Sequence, residues 1–600
     1  MSSRKPSQRK TAAVQYVIEP ASLAGHEFTV ELTVAQPAAL QRLSLPVWIP
    51  GSYLVREFAR HLHGVQARQG RSAIDIKQVD KCTWDIVCDP DRPLVVRYSA
   101  YAFDNSVRTA WLDSQRGFFN PTSLCLRVHG QEDAPHVLKV AKPEEAPNWQ
   151  LATALNPGRT SPDGFGTYSA ANYGELADSP VEMGTFWSGE FTAGGVQHRF
   201  VVAGASASFD GARLLSDTQK ICETAIRFWH GANKPAHHKY VFMLNAVDDG
   251  YGGLEHRFST ALICTRRDLP RQGEARASEG YTTLLGLISH EYFHTWNVKR
   301  LRPSEFAQYD YTQENYTELL WFFEGFTSYY DDLLLRRSSL IDDAGYFRLL
   351  TKTINQVQQA PGRHVQSVAQ ASFDAWVKYY RPDENTPNST ISYYTKGALV
   401  ALCFDLSLRQ EGRTTLDEVM RTLWQRCQGG PMSEADFVAV LGELGGRSFD
   451  GEMKSWVHGT TELPLKQLLQ AQGVRVLDEP SQLAQTLGLR VSEAAGSVVV
   501  KVVLAGSAAA TAGLSAGDEW IGVELPATRG VPASGWRLSK LEDLPLYAGT
   551  ARQVIALVAR DRKLLRLPLA IPSGSTTWRL LPPDGSSSDS VAGARPWPGR

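Results

Sequence analysis

A pair of histidines four residues apart constrains the fold of this chain more than any other feature. His290 and His294 are separated by Glu291, Tyr292 and Phe293. Residues at positions i and i+4 lie one above the other on the same face of a helix. The two imidazoles can therefore reach one ion if the segment is helical, and Glu291 then points beside that ion. The motif predicts a helix that carries two metal ligands and a general base.

The sequence around the motif favours a helix. Residues Thr283–Val298 contain no proline and no glycine other than Gly286, and Leu284, Leu287 and Ile288 fall at helical spacing. The alternative interpretation is a buried helix whose histidines are satisfied by hydrogen bonds alone. A third candidate ligand further along the chain argues against it.

That third candidate is Glu324. It lies in the stretch Glu318–Arg337, which is rich in Leu, Phe, Trp and Tyr and predicts a second buried helix. A carboxylate in so apolar a run is costly to desolvate unless it is paired or binds a cation. Glu318 and Asp331 are the competing carboxylates, and Glu318 falls near the helix start, where acidic residues are common. Two histidines and one glutamate leave a fourth position for water, which is typical of a catalytic zinc site.

Length and composition exclude several classes of protein. A chain of 600 residues is too long for one core and predicts about three or four domains. The formal net charge of −1 gives no reason to expect nucleic acid or an anionic membrane as a partner. The seven cysteines include no Cys-x-x-Cys pair, which favours reduced thiols. No signal peptide or membrane-spanning run is visible, so a cytoplasmic enzyme is expected, and the oligomeric state stays open.

The order of predicted elements indicates a multidomain α+β fold. Strand patterns come first, then a mostly helical region, and then strands again. The predicted segments are a disordered lead-in at 1–12, an N-terminal β domain at 13–204, a mostly helical catalytic domain at 205–468, a small β domain at 469–571 and a disordered tail at 572–600.

Individual elements are predicted inside these segments. Phe28, Val30, Leu32 and Val34 alternate with polar residues, which predicts a half-buried strand. The stretch Trp48–Tyr53 predicts a tight turn, for which we expect a packing role. The other predictions are strands at Leu94–Tyr98, His198–Val202, Tyr240–Leu244 and Val498–Leu504, a hairpin of Val554–Val558 with Leu564–Leu567, and helices at Ala212–Trp229, Tyr346–Gln359, Lys396–Leu408 and Leu416–Gln428.

These motifs resemble the glycyl aminopeptidase family, a group of gluzincin zinc metallopeptidases with a C-terminal PDZ domain. The resemblance covers most of the chain. It implies a β-sandwich-like N-terminal domain, a thermolysin-like zinc peptidase domain and a PDZ-like domain at 469–571. The segments that carry it are His290–Arg300, Glu324–Phe326, the turn Trp48–Tyr53, and Ala512–Asp518, which is similar to the small-residue segment of bacterial PDZ domains.

Further site residues follow from related zinc aminopeptidases. Residues Gly252, Gly253, Leu254, Glu255 and His256 resemble their Gly-x-Met-Glu-Asn strand, whose Glu binds the free amine of the substrate. An exopeptidase must hold one ammonium at a fixed distance from the metal, and a carboxylate does this. Leu and His replace the Met and Asn of that pattern. The alternative is a loop carboxylate in solvent.

The resemblance also assigns an oxyanion donor. Tyr394, with Lys396 and Gly397, matches a Tyr-x-Lys-Gly segment whose tyrosine stabilises the oxyanion. The adjacent Tyr393 is easily mistaken for it, and the alternative is a core tyrosine.

The PDZ-like segment has its own candidate site. Leu487, Gly488 and Leu489 form a candidate carboxylate-binding loop, which would take an extended peptide by strand addition. An intramolecular regulator or a substrate-docking module are equal alternatives for this domain.

The implied activity is that of a zinc-dependent aminopeptidase with one zinc per chain. It would act on peptides with a free N-terminus, with a preference for small residues such as Gly or Ala. Metal-activated water, Glu291 as general base and Tyr394 at the oxyanion would carry the reaction. One alternative is a zinc endopeptidase with PDZ-assisted docking. Another is a non-catalytic peptide-binding scaffold, against which the intact ligand set argues.

Overall fold

The computed structural model describes residues 13–235, 237–527, 532–583 and 597. The predicted lead-in at 1–12 lies outside the described residues, as does most of the predicted tail. The chain divides into two compact units. Unit 1 comprises the residues up to Tyr316 together with Trp424–Met432, and unit 2 comprises Thr317–Leu423 and the residues from Ser433 onward. The division after Tyr316 falls inside the segment 205–468 that the sequence assigned to one domain.

The first part of unit 1 is built almost entirely of strands, as the sequence predicted. Two short helices, α1 (Pro121–Leu124) and α2 (Tyr173–Ala177), interrupt them. In chain order the strands are β1 (Val14–Ser22), β2 (Glu27–Val34), β3 (Leu40–Ser44), β4 (Leu62–Gln69), β5 (Ser72–Ile74), β6 (Ile76–Gln78), β7 (Thr83–Val87), β8 (Leu94–Tyr101), β9 (Ala110–Leu112), β10 (Arg116–Phe119), β11 (Arg127–Val128), β12 (His136–Val140), β13 (Gln150–Thr153), β14 (Asn156–Thr160), β15 (Gly166–Ala170) and β16 (Val181–Gly184).

These strands form three sheets around one apolar core. Their orders are β14-β15-β12-β1-β2-β8-β4-β5, β13-β16-β10-β9 and β11-β3-β7-β6. Buried residues from all three sheets pack in the same cluster. The alternation predicted in β2 is confirmed, because Phe28, Val30, Leu32 and Val34 are all buried. An apolar residue at every second position covers one face of a strand, and that face supplies the core.

The second part of unit 1 is a five-stranded sheet with two long helices. Its sheet order is β17-β18-β19-β21-β20, which leaves β20 at one edge, antiparallel to β21. Helix α4 packs against both α3 and β20. The elements are β17 (Trp187–Ala193), β18 (Val196–Ala203), α3 (Gly211–His230), β19 (Lys239–Val247), β20 (Gly252–Glu255), β21 (Ser259–Thr265), α4 (Glu279–Phe293) and the small pair β22 (Arg302–Pro303) with β23 (Pro431–Met432).

Unit 2 begins with a group of helices. Their bounds are α5 (Leu320–Phe323), α6 (Gly325–Arg337), α7 (Asp343–Gln358), α8 (Val368–Phe373), α9 (Thr386–Ser389), α10 (Thr395–Glu411), α11 (Leu416–Arg426), whose last residues belong to unit 1, α12 (Glu434–Gly445), α13 (Asp450–Glu452) and α14 (Leu465–Ala471). Helices α6 and α10 cross closely at two glycines. A methyl group on Gly325 would lie 2.6 Å from the Cα of Gly397, so neither position has room for a side chain.

The single helix predicted from Glu318 to Arg337 is wrong in one respect. The structure has two helices, α5 and α6, which meet at Glu324. The carbonyl of Trp321 faces α10 so closely that a methyl group on Gly397 would lie 2.6 Å from its oxygen. This tertiary contact at the helix crossing coincides with the interruption.

The remainder of unit 2 is a small β domain with a core of its own. Its main sheet has the order β25-β26-β27-β29-β30, and β28 pairs with β27, while β24 pairs separately with β31. The PDZ-like assignment of this domain stays a prediction. The elements are β24 (Arg475–Pro480), α15 (Leu483–Leu487), β25 (Leu489–Ala494), β26 (Ser497–Val503), α16 (Ala508–Ala512), β27 (Glu519–Leu525), β28 (Ser534–Arg537), α17 (Leu544–Ala548), β29 (Gln553–Arg560), β30 (Lys563–Ala570) and β31 (Thr576–Leu581).

The predicted disordered tail at 572–600 contains ordered structure. Strand β31 pairs along its whole length with β24, and Trp597 is buried beside Tyr346 and Phe347 of α7. The prediction of disorder is therefore wrong for these residues, because pairing partners elsewhere in the chain outweigh the Ser/Gly/Pro-rich composition. No helix among the described residues has the length and apolar character needed to span a membrane.

Candidate active site

Helix α4 carries the histidine motif. The Ser278 hydroxyl caps its start by accepting a hydrogen bond from the backbone N–H of Tyr281 at 3.0 Å. The helix ends at Phe293, and His294 occupies the C-cap position. The chain after His294 turns tightly, with the N–H of Thr295 donating to the carbonyl of Tyr292 at 3.0 Å.

The two imidazoles of the motif face each other. Nε2 of His290 and Nε2 of His294 are 3.0 Å apart. Nδ1 of His294 lies 2.7 Å from the backbone carbonyl of Asn297. Because a carbonyl only accepts, Nδ1 carries the proton and Nε2 keeps its lone pair directed at His290. This arrangement suits a cation held between the rings, and the carbonyl of Asn297 sets the orientation and tautomer of His294.

Glu291 lies on the backbone of the edge strand β20. Its carboxylate is so close that a methyl group on Gly253 would lie 2.0 Å from Oε1. A side chain at position 253 would displace the Glu291 carboxylate from this place. The structure brings Glu291, Glu255 and His294 together, with one ligand atom of each within 4.8 Å of the others. Three sequence-predicted residues of unit 1 thus share one small, buried site.

Glu255 ends strand β20, where it pairs with Thr260 of β21. Its side chain is only 4% exposed, so the alternative of a loop carboxylate in solvent is wrong. Lys299, which follows the motif helix, is buried and forms an ion pair with Asp178, with Nζ and Oδ1 2.7 Å apart. Burial opposes the charge of Lys299, but Asp178, Tyr309 and Glu255 together raise its pKa above the usual value.

Asp178 was missed in the sequence and organises the surroundings of Glu255. It accepts from the backbone N–H of Arg257 at 2.8 Å and lies 3.1 Å from Nδ1 of His256. Burial works to raise the pKa of Asp178, but Lys299 and His256 hold it well below its usual range. His256, one of the two departures from the related strand pattern, therefore has a definite contact. No local motif marks Asp178, which comes from a distant part of the chain.

Glu324 lies in unit 2, at the junction of α5 and α6. It is the buried member of the three candidate carboxylates in this stretch, with 1% of its surface exposed. Glu318 is exposed and Asp331 is partly exposed. Burial disfavours the charged form of a carboxylate, and Glu324 is the one of the three that is buried.

Tyr394 is a neighbour of Glu324 within unit 2. Burial, and then the charge of Glu324, raise the pKa of Tyr394 well above the usual value for a phenol, so it stays protonated. Tyr393 is fully buried, whereas Tyr394 keeps part of its surface exposed. The ring of Tyr379 lies 5.3 Å from that of Tyr394. No sequence motif pointed to Tyr379.

The predicted PDZ loop is the end of helix α15. Gly488 is its left-handed C-cap residue, with φ of 75°, and Leu487 and Leu489 are buried in the domain core. The carbonyl of Gly488 accepts from the backbone N–H of Leu504 at 2.9 Å. Strand β25 follows directly and is an edge strand of its sheet. A free edge is what strand addition requires.

Comparisons with known proteins extend these observations. The chain matches the profile of the M61 glycyl aminopeptidase over residues 283–400 and that of the peptidase M61 N-terminal domain over residues 15–185. A comparison with curated proteins found no match.

Several solved structures are similar. An aminopeptidase N family protein from Idiomarina loihiensis has a TM-score of 0.89 and 36% identity, covering 95% of this chain and 98% of that one. The M1 zinc metallopeptidase from Deinococcus radiodurans has a TM-score of 0.48 and 15% identity, over 75% of this chain and 94% of its own. Aminopeptidase A of Legionella pneumophila, in complex with aspartic acid, has a TM-score of 0.47 and 14% identity. The match covers 90% of this chain and 57% of the Legionella chain.

Two facing imidazoles on one helix turn, a buried carboxylate beside them and a matching family profile define a zinc metallopeptidase. The agreement with the Idiomarina protein extends over nearly the whole of both chains. The chain belongs to the M61 glycyl aminopeptidase family, which confirms the resemblance found in the sequence.

Proposed function

We propose that this protein removes N-terminal residues from peptides that have a free amine, with a preference for small residues such as Gly or Ala. The observation that carries the proposal is the meeting of Glu255, Glu291 and His294 in one buried site. An endopeptidase has no need of a second carboxylate there, whereas an aminopeptidase needs one for the substrate ammonium. The preference for small residues rests on the family to which the chain belongs.

We further propose that one zinc ion per chain is held by His290, His294 and Glu324. The donor set fits, since two neutral imidazoles and one buried carboxylate are the ligands of many catalytic zinc sites. When bound, zinc lowers the pKa of a coordinated water toward neutrality and polarises the scissile carbonyl. Glu291 accepts the proton of the attacking water and then delivers it to the leaving amine. Asn297 keeps His294 in the tautomer that presents Nε2.

Glu255 is assigned to the substrate ammonium. Glu255 lies near enough to the buried ammonium of Lys299 to raise the pKa of that lysine. The ion pair between Lys299 and Asp178 holds that ammonium in place. With the amine fixed at Glu255 and the proton acceptor at Glu291, only the first peptide bond of a substrate lies within reach.

The proposal is tested with a Gly-started peptide, with its N-terminus free or acetylated, followed by mass spectrometry. We expect stepwise loss of N-terminal residues from the free peptide only. Glu255→Gln is expected to raise KM for the free peptide by about 10- to 100-fold, because a hydrogen bond to a charged group contributes about 1.5–3 kcal/mol. Glu291→Ala serves as the blank for contaminating peptidases. Internal cuts in both peptides would instead establish an endopeptidase.

Tyr394 is proposed as the donor to the oxyanion, which forms as water attacks the carbonyl. Tyr394→Phe removes the hydroxyl and keeps the ring, so kcat is expected to fall by about 10²–10³ while KM changes little. Tyr393→Phe is the matched control, because this neighbour is fully buried, and it should retain kcat within about threefold. Steady-state kinetics on a Gly-started substrate measures both. Equal losses in the two variants would contradict the assignment.

For the small β domain we propose binding of an extended peptide along strand β25, with its terminal carboxylate at Leu487–Leu489. The edge position of β25 supports this. Peptides that differ only in a free or amidated C-terminus, compared by calorimetry on the full chain, test it. Equal affinity for both peptides would remove the carboxylate-binding role from the loop.

A further inference from the structure

We propose that Gly51 is a positioning residue for the carboxylate of Glu255, so that a turn of the N-terminal β domain forms one wall of the site for the substrate amine. The inference rests on the proposed function and extends it to a residue outside the peptidase motifs. Gly51 belongs to the stretch Trp48–Tyr53, for which the sequence suggested a packing role.

The contact between Gly51 and Glu255 is direct. A methyl group on Gly51 would lie 2.5 Å from Oε2, 2.6 Å from Oε1 and 2.7 Å from Cδ of Glu255. These distances are well inside van der Waals contact, and they involve all three atoms nearest the end of the Glu255 side chain, so that the carboxylate would have to shift. The φ of Gly51 is +94°, a backbone conformation that favours glycine. The absence of a side chain at this position is therefore what gives the carboxylate its place.

The turn itself has little freedom to move away. The N–H of Ser52 donates to the carbonyl of Ile49 at 3.0 Å, which closes the turn. The indole of Trp48 donates to the carbonyl of Asp310 at 2.8 Å, and Arg56 donates to the hydroxyl of Ser52 at 2.7 Å. Trp48, Ile49 and Ser52 are all essentially buried. A side chain added at Gly51 would thus displace Glu255 rather than the turn.

Glu255 is constrained from other directions as well. Its backbone is paired with Thr260 of β21, and its charge acts on the buried Lys299. Gly253, two residues earlier on the same strand, gives Glu291 its place by the same means, since a methyl group there would also overlap a carboxylate. Each of the two carboxylates of the site therefore packs against a glycine. Gly253 lies on the same strand as Glu255, whereas Gly51 comes from the N-terminal β domain.

The consequence concerns the selection of a free N-terminus. Displacing a binding group by about 1 Å can cost about 10²-fold in rate when the reacting atoms must be aligned. A displaced Glu255 would hold the substrate ammonium badly, whereas the substitution itself leaves Glu291 and the histidines unchanged. The loss should therefore fall on KM and on the preference for free over acetylated peptides.

The first test is Gly51→Ala, measured on free and acetylated Gly-started peptides. We expect KM for the free peptide to rise at least tenfold and the free-over-acetylated preference to fall, with zinc content unchanged. Gly130→Ala is the matched control, because Gly130 has a φ of +85° and nothing within 4 Å of an added methyl group. It has a similar positive φ without the contact, and it should retain both KM and selectivity.

The second test is a double-variant comparison that does not need activity. In a Glu255→Ala background the added methyl group has no carboxylate to meet, so Gly51→Ala should lower the melting temperature less than it does in the wild type. Gly130→Ala should lower it equally in both backgrounds. The inference would be overturned if Gly51→Ala kept wild-type KM and selectivity, or if it lowered the melting temperature equally in the two backgrounds. Either result would leave the proposed function standing. A wild-type enzyme without preference for a free amine would overturn the proposed function, and this inference with it.

Discussion

Replacing Glu291 with Gln is expected to lower kcat by about 10²–10⁴ and to leave zinc bound, because a general base contributes about that factor to catalysis. The amide is nearly the same size as the carboxylate, so its contact with the backbone at Gly253 is retained. It cannot accept a proton from water. The proposed ligands are not altered by the exchange, and the loss should therefore appear in turnover rather than in metal affinity.

The measurement pairs steady-state kinetics with metal analysis of the purified protein. Glu279→Gln, at the exposed first turn of the same helix, is the matched control and should keep kcat within about twofold of the wild type. Loss of zinc together with activity would point to a structural effect of the exchange. Near wild-type turnover in Glu291→Gln would take Glu291 out of the role of general base.

Removal of the metal is expected to abolish activity, and Glu324 is expected to decide whether it can be restored. A chelator should inactivate the wild type, and added zinc should recover it. Glu324→Ala should need more than about 100-fold higher zinc for recovery, since even residues that only support metal ligands typically contribute 10- to 100-fold in affinity. Glu318→Ala, an exposed carboxylate in the same stretch, should behave as the wild type.

The metal should also report on stability. Glu324 is almost completely buried, and an ion that binds only the folded state stabilises it by mass action. The melting temperature of the wild type should therefore fall on chelation and rise again with zinc, whereas that of Glu324→Ala should respond weakly. A variant that binds zinc and recovers activity like the wild type would exclude Glu324 as a ligand and reopen the choice among the carboxylates of this stretch.

Helices and strands were predicted well where the spacing of apolar residues matched a single period, either that of a helix or that of a strand. The alternation in β2 and the amphipathic pattern of α3 both appear in the structure with bounds close to those expected. The junction at Glu324 was missed. Helix α10 passes close to Trp321 at Gly397. This contact joins segments that are distant in the chain, and a local pattern does not contain it.

Composition misled at the end of the chain. The Ser/Gly/Pro-rich stretch predicted disorder, yet β31 pairs with β24 and Trp597 is buried against α7. A strand needs a partner more than it needs a favourable composition, because its hydrogen bonds are made to another segment. The existence of that partner is a property of the tertiary fold.

The sequence by itself determined the chemistry available to this protein. The spacing of His290 and His294 places two imidazoles on one face of a helix, since that geometry is set within a single turn. Only the tertiary structure decided which groups surround them in unit 1. Glu255 reaches His294 through the register of an edge strand. Gly51 reaches Glu255 from a remote segment, and Asp178 reaches His256, the residue after Glu255. Such contacts follow from how sheets and turns pack against one another, and no local signal in the chain encodes them.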